Sequence, residues 1–237
     1  MSRQRGAALI MVLWAIALLG LMMGSLVEIL RLENRQSAFE LQHSRALLAA
    51  QAGLALAVEG LFAYPARTVA DGRVYSLPFE QATLSLQVSS ERGKLDLNFV
   101  ALDSFARLAH GLGATSEQAR QWSESLGQQR SVGPLKALEQ LQQLPGMQAR
   151  LYERLLPHLT LWSGLTVPDA DVASPELLAL LKLSRPKVAL QRGPESVVNV
   201  RVLAKLENQV SASLEAVVFL SPQGSGQQPY RVLRWKE

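Results

Sequence analysis

The stretch "RGAALIMVLWAIALLGLMMGSLVE" (residues 5–28) decides how this chain begins its fold. From Ala7 to Val27 no residue is charged, and Glu28 is the first acid. A helix of that length spans about 30 Å, the thickness of the hydrocarbon core of a bilayer. No proline follows until Pro65. Apolar residues continue at helical spacing through Leu26, Leu30, Phe39, Leu47, Leu54, Val58 and Leu61. The spacing predicts one helix from about residue 8 to about residue 62, on the order of 80 Å long. Its first half is expected in lipid or in a bundle of like helices. Its second half is expected to lay one face on a domain.

The chain has 237 residues, enough for a membrane segment and one or two small domains with real cores. The formal charge of +4 comes from scattered basic residues, with no run that reads as a nucleic-acid arm. There is no cysteine, which excludes disulfides, thiolate catalysis and cysteine metal sites. His43, His110 and His158 lie far apart, and no pair has a metal spacing such as i, i+4. No serine sits in a G-x-S-x-G elbow. Gly111 and Gly113 follow a predicted helix, so they read as a helix end and turn and not as a phosphate loop. No catalytic group stands out, and an enzyme is not expected.

After Pro65, "ADGRVYSLP" reads as a turn-rich piece. "ATLSLQVSS" (82–90) alternates Leu84, Leu86 and Val88 with polar residues and reads as a strand with one buried face. "SVVNVRVLAKLE", "VSASLEAVVFLS" and "YRVLRWKE", the last after the loop "PQGSGQQP", read as a meander of three strands. Between about 94 and 185 the pattern turns helical. "ALDSFARLAHGL" is one candidate helix. "TSEQARQWSESL" is another, with Thr115 and Gln118 in capping-box positions. "PLKALEQLQQL" starts with Pro134 at a favoured first position, "MQARLYERLL" stops before Pro157, and "SPELLALLKL" has Ser174 as N-cap and Pro175 after it. Strands flanking a helical block predict a strand-rich domain that carries an inserted helical one.

Three readings compete for the N-terminus. A secretory signal has a shorter apolar core, and only Gly24-Ser25 hints at a cleavage site after it. A plain anchor needs just the apolar run, with Arg3 and Arg5 kept on the cytoplasmic side. The third uses Gly6. A short basic leader ending in glycine, placed directly before the apolar helix, resembles a type IV prepilin or pseudopilin signal. The resemblance implies cleavage by a prepilin peptidase between Gly6 and Ala7 and N-methylation of Ala7. Most pilins carry glutamate at the fifth mature position. Here that position is Met11. A carboxylate buried in a helix bundle is costly unless paired, so its absence changes what can sit above this subunit.

The missing acid, together with "GKLDLN" (93–98), "LEQLQQLPGMQARLYERLLPHLTLW" (138–162), "ASPELLALL" (173–181) and "YRVLRW" (230–235), resembles the general secretion pathway protein K family. These are the K-type minor pseudopilins of the type II secretion system. The resemblance implies an α+β fold: a pilin-like long N-terminal helix, transmembrane in its first half, packed on a small antiparallel sheet and carrying an inserted all-helical domain. The units would be a leader (1–6), a transmembrane part (7–27), the rest of the long helix with the first strands (28–92), the insert (93–190) and the closing strands (191–237). It also implies a place at the pseudopilus tip, I- and J-type minor pseudopilins and the major pseudopilin as partners, and a single-pass inner-membrane protein with a periplasmic domain.

Structural calcium is associated with such inserts. The matching stretch here, "QWSESLGQQRSV", keeps only Glu124 as a carboxylate, whereas calcium wants six to eight oxygens. Calcium is therefore not carried over, and no cofactor is expected. Asp169 and Asp171 in "PDADV" are weak metal candidates that read better as a turn. Gly20 and Gly24 form a G-x-x-x-G that would let two helix backbones approach closely. The alternative reading is a membrane-anchored periplasmic binding module. It would use "LPGM" as a helix-hairpin-helix-like turn, with Arg150 and Arg154 beside it. The structural reading of that turn is preferred, and no nucleic acid is expected.

Overall fold

A computed structural model describes residues 3–63, 66–185, 197–221 and 229–237. The chain starts as a single helix of 60 residues, α1 (Arg3–Phe62), about 90 Å long at the usual rise. It begins earlier than the apolar run predicts. Arg3, Gln4 and Arg5 are good helix formers and extend it through the basic flank.

Five strands form one antiparallel sheet: β1 (Asp71–Phe79), β2 (Ala82–Ser90), β5 (Val197–Leu206), β6 (Ser211–Leu220) and β7 (Tyr230–Lys236), in the order β1-β2-β5-β6-β7. The two-residue pair β3 (Leu95–Asp96) and β4 (Leu159–Thr160) is parallel and separate. The reading of 82–90 and of the closing meander as strands is borne out. The reading of "ADGRVYSLP" as turns is corrected, since it forms edge strand β1. Its core-side face carries Tyr75, Leu77 and Phe79, of which Tyr75 and Phe79 are half-buried against the sheet core, but Asp71, Gly72 and Pro78 give the stretch the look of a turn. Pro78 is tolerated there because an edge strand can spare a donor. The stretch Pro222–Gln228 before β7 lies outside the described residues, as do 186–196.

The second half of α1 lies on the sheet through Ala46, Ala49, Ala50, Leu54, Ala57 and Val58, all buried against Leu84, Leu86, Val88, Val200, Val202, Ala204 and Ala216. The buried stripe is mostly alanine, which brings the helix close. At Gly53 a Cβ would stand 2.7 Å from Val202 Cγ1, inside contact distance. Phe39, which shares the helical spacing, lies beyond the sheet and is 59% exposed.

The chain leaves the sheet after β2 and is back in it at β5. These two strands are direct antiparallel neighbours, with Ser90 opposite Val198. The insertion is thus one very long hairpin loop whose ends are held together by the ladder. It contains α2 (Leu102–Gly111), α3 (Ser116–Val132), α4 (Ala149–Leu155) and α5 (Pro175–Leu181). It has its own core, around Leu95, Leu97, Phe105, Leu108, Trp122, Leu126, Leu141, Leu155 and Leu159. The two cores are distinct clusters of buried side chains.

The caps read from the sequence are formed. Thr115 Oγ1 accepts from Gln118 N–H while Gln118 Oε1 accepts from Thr115 N–H, and Ser174 Oγ accepts from Leu177 N–H. The helix predicted at "PLKALEQLQQL" is corrected to a 3₁₀ segment, Leu138–Gln143. Residues 134–137 stay outside it, because Gln140 Oε1 reaches back to the N–H groups of Lys136 and Ala137 and fixes the start there.

Candidate functional site

Among the described residues, the first part of α1 carries a run of exposed apolar side chains. Leu13, Trp14, Ile16, Leu18, Leu19, Leu21, Met22 and Met23 are each at least 58% exposed. A helix of this length and composition fits a single-pass membrane anchor. Hydropathy by itself would also accept a window within Arg31–Phe62, but 44% of that window is buried, much of it on the sheet.

Gly6, Ala7 and Met11 all lie within α1, so the backbone at the Gly6–Ala7 bond is helical. Gly20 and Gly24 fall one turn apart on a common face. A Cβ at Gly20 would meet no atom within 4 Å, so the close approach this pair permits is open to another helix. Between membrane-length segment and sheet, residues 31–41 form a fully exposed neck bearing Leu32, Phe39 and Leu41. There Phe39 and His43 stack with ring centroids 6.1 Å apart.

The seam between insert and sheet is the second candidate region. A cleft of about 350 Å³ opens between the insert and the sheet face turned away from α1, here called the outer face. Glu91, Lys94, Trp162, Arg201, Glu215 and Arg234 line it. The charges pair with one another: Lys94 with the buried Glu91, Arg201 with Glu215, and Arg234 with Glu139 of the insert at 2.9 Å. Burial raises the pKa of Glu215, but the hydrogen bond from Asn199 Nδ2 (2.8 Å) and the Arg201 charge outweigh it, and the net shift is down. Only the Arg234–Glu139 pair crosses from sheet to insert, and charges matched in this way do not present a nucleophile beside a base.

The "GKLDLN" stretch builds the junction. Asp96, fully buried, accepts from Asn98 N–H (2.9 Å) through Oδ1 and from Gly164 N–H (2.8 Å) through Oδ2. Asn98 exchanges two hydrogen bonds with the Leu135 backbone. Arg130 donates to the carbonyls of Leu97 and Val100, and burial lowers its pKa while Asp96 pulls it back up. Gly93 has the backbone of Val172 and Ala173 directly against it. Sequence reasoning missed Gly53, Gly93 and Arg130. Nothing in composition marks a glycine that serves close packing or an arginine that caps carbonyls.

Asp169 and Asp171 sit in a turn: Asp169 Oδ1 accepts from Asp171 N–H, and Asp169 Oδ2 lies 3.5 Å from Arg92 Nε. Among the described residues no three His, Cys, Asp or Glu side chains cluster so as to hold a metal ion. Glu124 lies on α3 beside an exposed groove between α2 and α3. His110 bonds through Nδ1 to Ala114 O at 3.0 Å. His158 is buried, with Nε2 3.4 Å from Glu176 Oε2; burial lowers its pKa, Glu176 raises it in part and Lys94 lowers it further. The LPGM turn is held from inside. Trp122 Nε1 donates to Pro145 O at 2.7 Å, and Gly146 takes φ +70°. Its preceding element is 3₁₀, so two flanking α-helices are not formed.

No family model matches the sequence, and no curated protein matches it. The structure is similar to a chain of the GspK-GspI-GspJ complex from the enterotoxigenic Escherichia coli type 2 secretion system. The TM-score is 0.66 over 85% of this chain and 98% of that chain, at 14% identity. The likeness is one of fold, and the fold is GspK-like: a long N-terminal helix on an antiparallel sheet, with a helical domain inserted between two neighbouring strands.

Proposed function

We propose that this chain is a K-type minor pseudopilin, placed at the tip of a type II secretion pseudopilus. There it helps start or cap assembly and so supports export of folded proteins across the outer membrane. The observation that carries the reading is the GspK-like fold combined with an apolar half-helix after Gly6 whose side chains are exposed at Leu13, Trp14, Ile16 and Leu18 to Met23 wherever they are described. In this reading the leader is removed between Gly6 and Ala7 by the prepilin peptidase, and Ala7 is methylated. The first half of α1 is held in the inner membrane with its N-terminus cytoplasmic. The sheet and insert lie in the periplasm.

The partners are I- and J-type minor pseudopilins and then the major pseudopilin, met through the exposed part of α1. Met11 leaves the subunit without the acid that would neutralise an amine above it, which suits a subunit with none above. The insert adds bulk at the far end of the molecule from the membrane segment. The role is one of assembly, with no reaction catalysed and no cofactor or metal required.

The test is the intact mass of the protein from membranes of its host, with and without the prepilin peptidase. A chain starting at Ala7 with one added methyl, lost without the peptidase, is the expected result. A full-length chain in both backgrounds, or a chain starting near Ser25, would refute the reading. Gly6→Val is expected to block processing and secretion together.

A further inference from the structure

Strand β7 is at the end of the sheet, and among the described residues no element pairs with its outer edge. Its N–H and C=O groups on that side are therefore a template for another strand. The two faces of β7 differ sharply. On the α1 side are Val232, opposite Val218, and Trp235, opposite Ala216. Helix α1 packs on β2, β5 and β6 and stops short of them, so Val232 and Trp235 stay 38% and 42% exposed. On the outer face are Arg231, Arg234 and Lys236, opposite Phe219, Val217 and Glu215. Arg231 lies over the Phe219 ring at 5.9 Å, and Lys205 of β5 adds positive charge to the same face, where Arg201 is paired with Glu215. The strand carries three cations and no acid. Only a bulge at Leu233 interrupts the alternation.

This arrangement selects its occupant. A second copy of β7 would set cations against cations, which is unfavourable across a strand pair. A neutral strand would leave Arg231 and Lys236 unmatched. An extended segment with acidic residues at alternate positions and apolar residues between them satisfies both faces at once. Its acids would meet Arg231 and Lys236, Arg234 being already paired with Glu139, and its apolar side chains would cover Val232 and Trp235. We propose that the outer edge of β7 is a strand-addition site for an extended segment of a partner protein that alternates acidic and apolar residues. The site is independent of the pseudopilin reading and stands or falls separately from it.

The probe is a fluorescent ten-residue peptide of alternating glutamate and valine, titrated against the full chain in detergent. The expected result is saturable binding that weakens as salt is raised. The variant carrying Arg231→Glu and Lys236→Glu, with unchanged circular dichroism, is expected to bind at least tenfold more weakly. The same peptide N-methylated at every second residue is expected to lose at least tenfold as well, because it cannot complete the ladder. That arm needs no protein variant. Absence of saturable binding, equal binding of the methylated peptide, or equal binding by the charge-reversed variant would overturn the proposal. Displacement of the peptide by a DNA duplex or by phosphatidylglycerol vesicles at equal charge concentration would also overturn it, by reducing the site to a general anion surface.

Discussion

Gly93→Ala tests how the insert is joined to the sheet. A Cβ at Gly93 would stand 2.5 Å from the Val172 carbonyl oxygen, 2.7 Å from the Val172 carbonyl carbon and 2.9 Å from Ala173 N. All three are backbone atoms, so no flexible side chain can turn aside. Ordinary contact begins at 3.4 Å, and the 169–173 turn would have to recede by nearly an ångström. Overpacking of this kind costs about 1–3 kcal/mol. The same displacement strains the bond from Asp169 N–H to Arg92 O, now 2.8 Å, a net contribution of about 0.5–1.5 kcal/mol. Alanine stiffens the unfolded chain and returns about 0.4–1 kcal/mol. Steric cost wins, and the expected net loss is roughly 1–3 kcal/mol.

The assay is denaturant unfolding of the full chain in detergent, followed by near-ultraviolet circular dichroism of the buried Trp122 in the insert. Because two cores need not unfold together, the insert probe is the relevant one. Gly133→Ala is the control. A Cβ there meets nothing within 4 Å, and its φ of 168° is ordinary extended backbone. That variant is expected to be neutral or slightly stabilised. If Gly93→Ala proves no less stable than Gly133→Ala, the close-approach argument is wrong.

Arg130→Met removes two donors from buried carbonyls and is expected to cost about 3–6 kcal/mol in the same assay, since each such bond to a charged group contributes about 1.5–3 kcal/mol. His158 has a lowered pKa in the fold, so the folded state resists its protonation. Its contribution to stability is intact above the unfolded value of about 6.5 and is lost as pH falls from there through the folded pKa; His158→Gln should flatten that part of a stability–pH curve. Glu215 also has a lowered pKa, and as an acid it contributes above its unfolded value and loses that contribution as pH falls through the lowered one; the residual acid slope of the His158→Gln variant, compared with Glu215→Gln, measures this. Met11→Glu is expected to leave secretion unchanged or mildly reduced; a gain in secretion titre would contradict the tip argument.

Periodicity and local chemistry carried much of this molecule. The apolar run and its continuation specify α1, because a helix long enough to cross a membrane needs only local hydrogen bonds and the absence of proline. Thr115, Ser174 and Pro175 marked helix starts, because caps are formed by residues three positions apart. The alternation in 82–90 and 197–220 marked strands with one covered face. Edge strand β1 was hidden because Asp71, Gly72 and Pro78 carry turn signals that outweigh the short alternation of Tyr75, Leu77 and Phe79. The 3₁₀ start at Leu138 depended on one glutamine side chain reaching backwards, which no propensity records. Three things were decided only by tertiary structure. The insert hangs between two adjacent strands, so its ends are closed by the β2–β5 ladder. Gly53 and Gly93 are needed for backbones to touch, and Arg130 is needed to cap carbonyls made distant in sequence. The face of α1 that meets the sheet is mostly alanine, joined by Leu54 and Val58, while Phe39 lies beyond it. Each of these depends on which surfaces meet across long sequence separations, and a linear pattern holds no information about what lies opposite a residue until the chain has closed on itself.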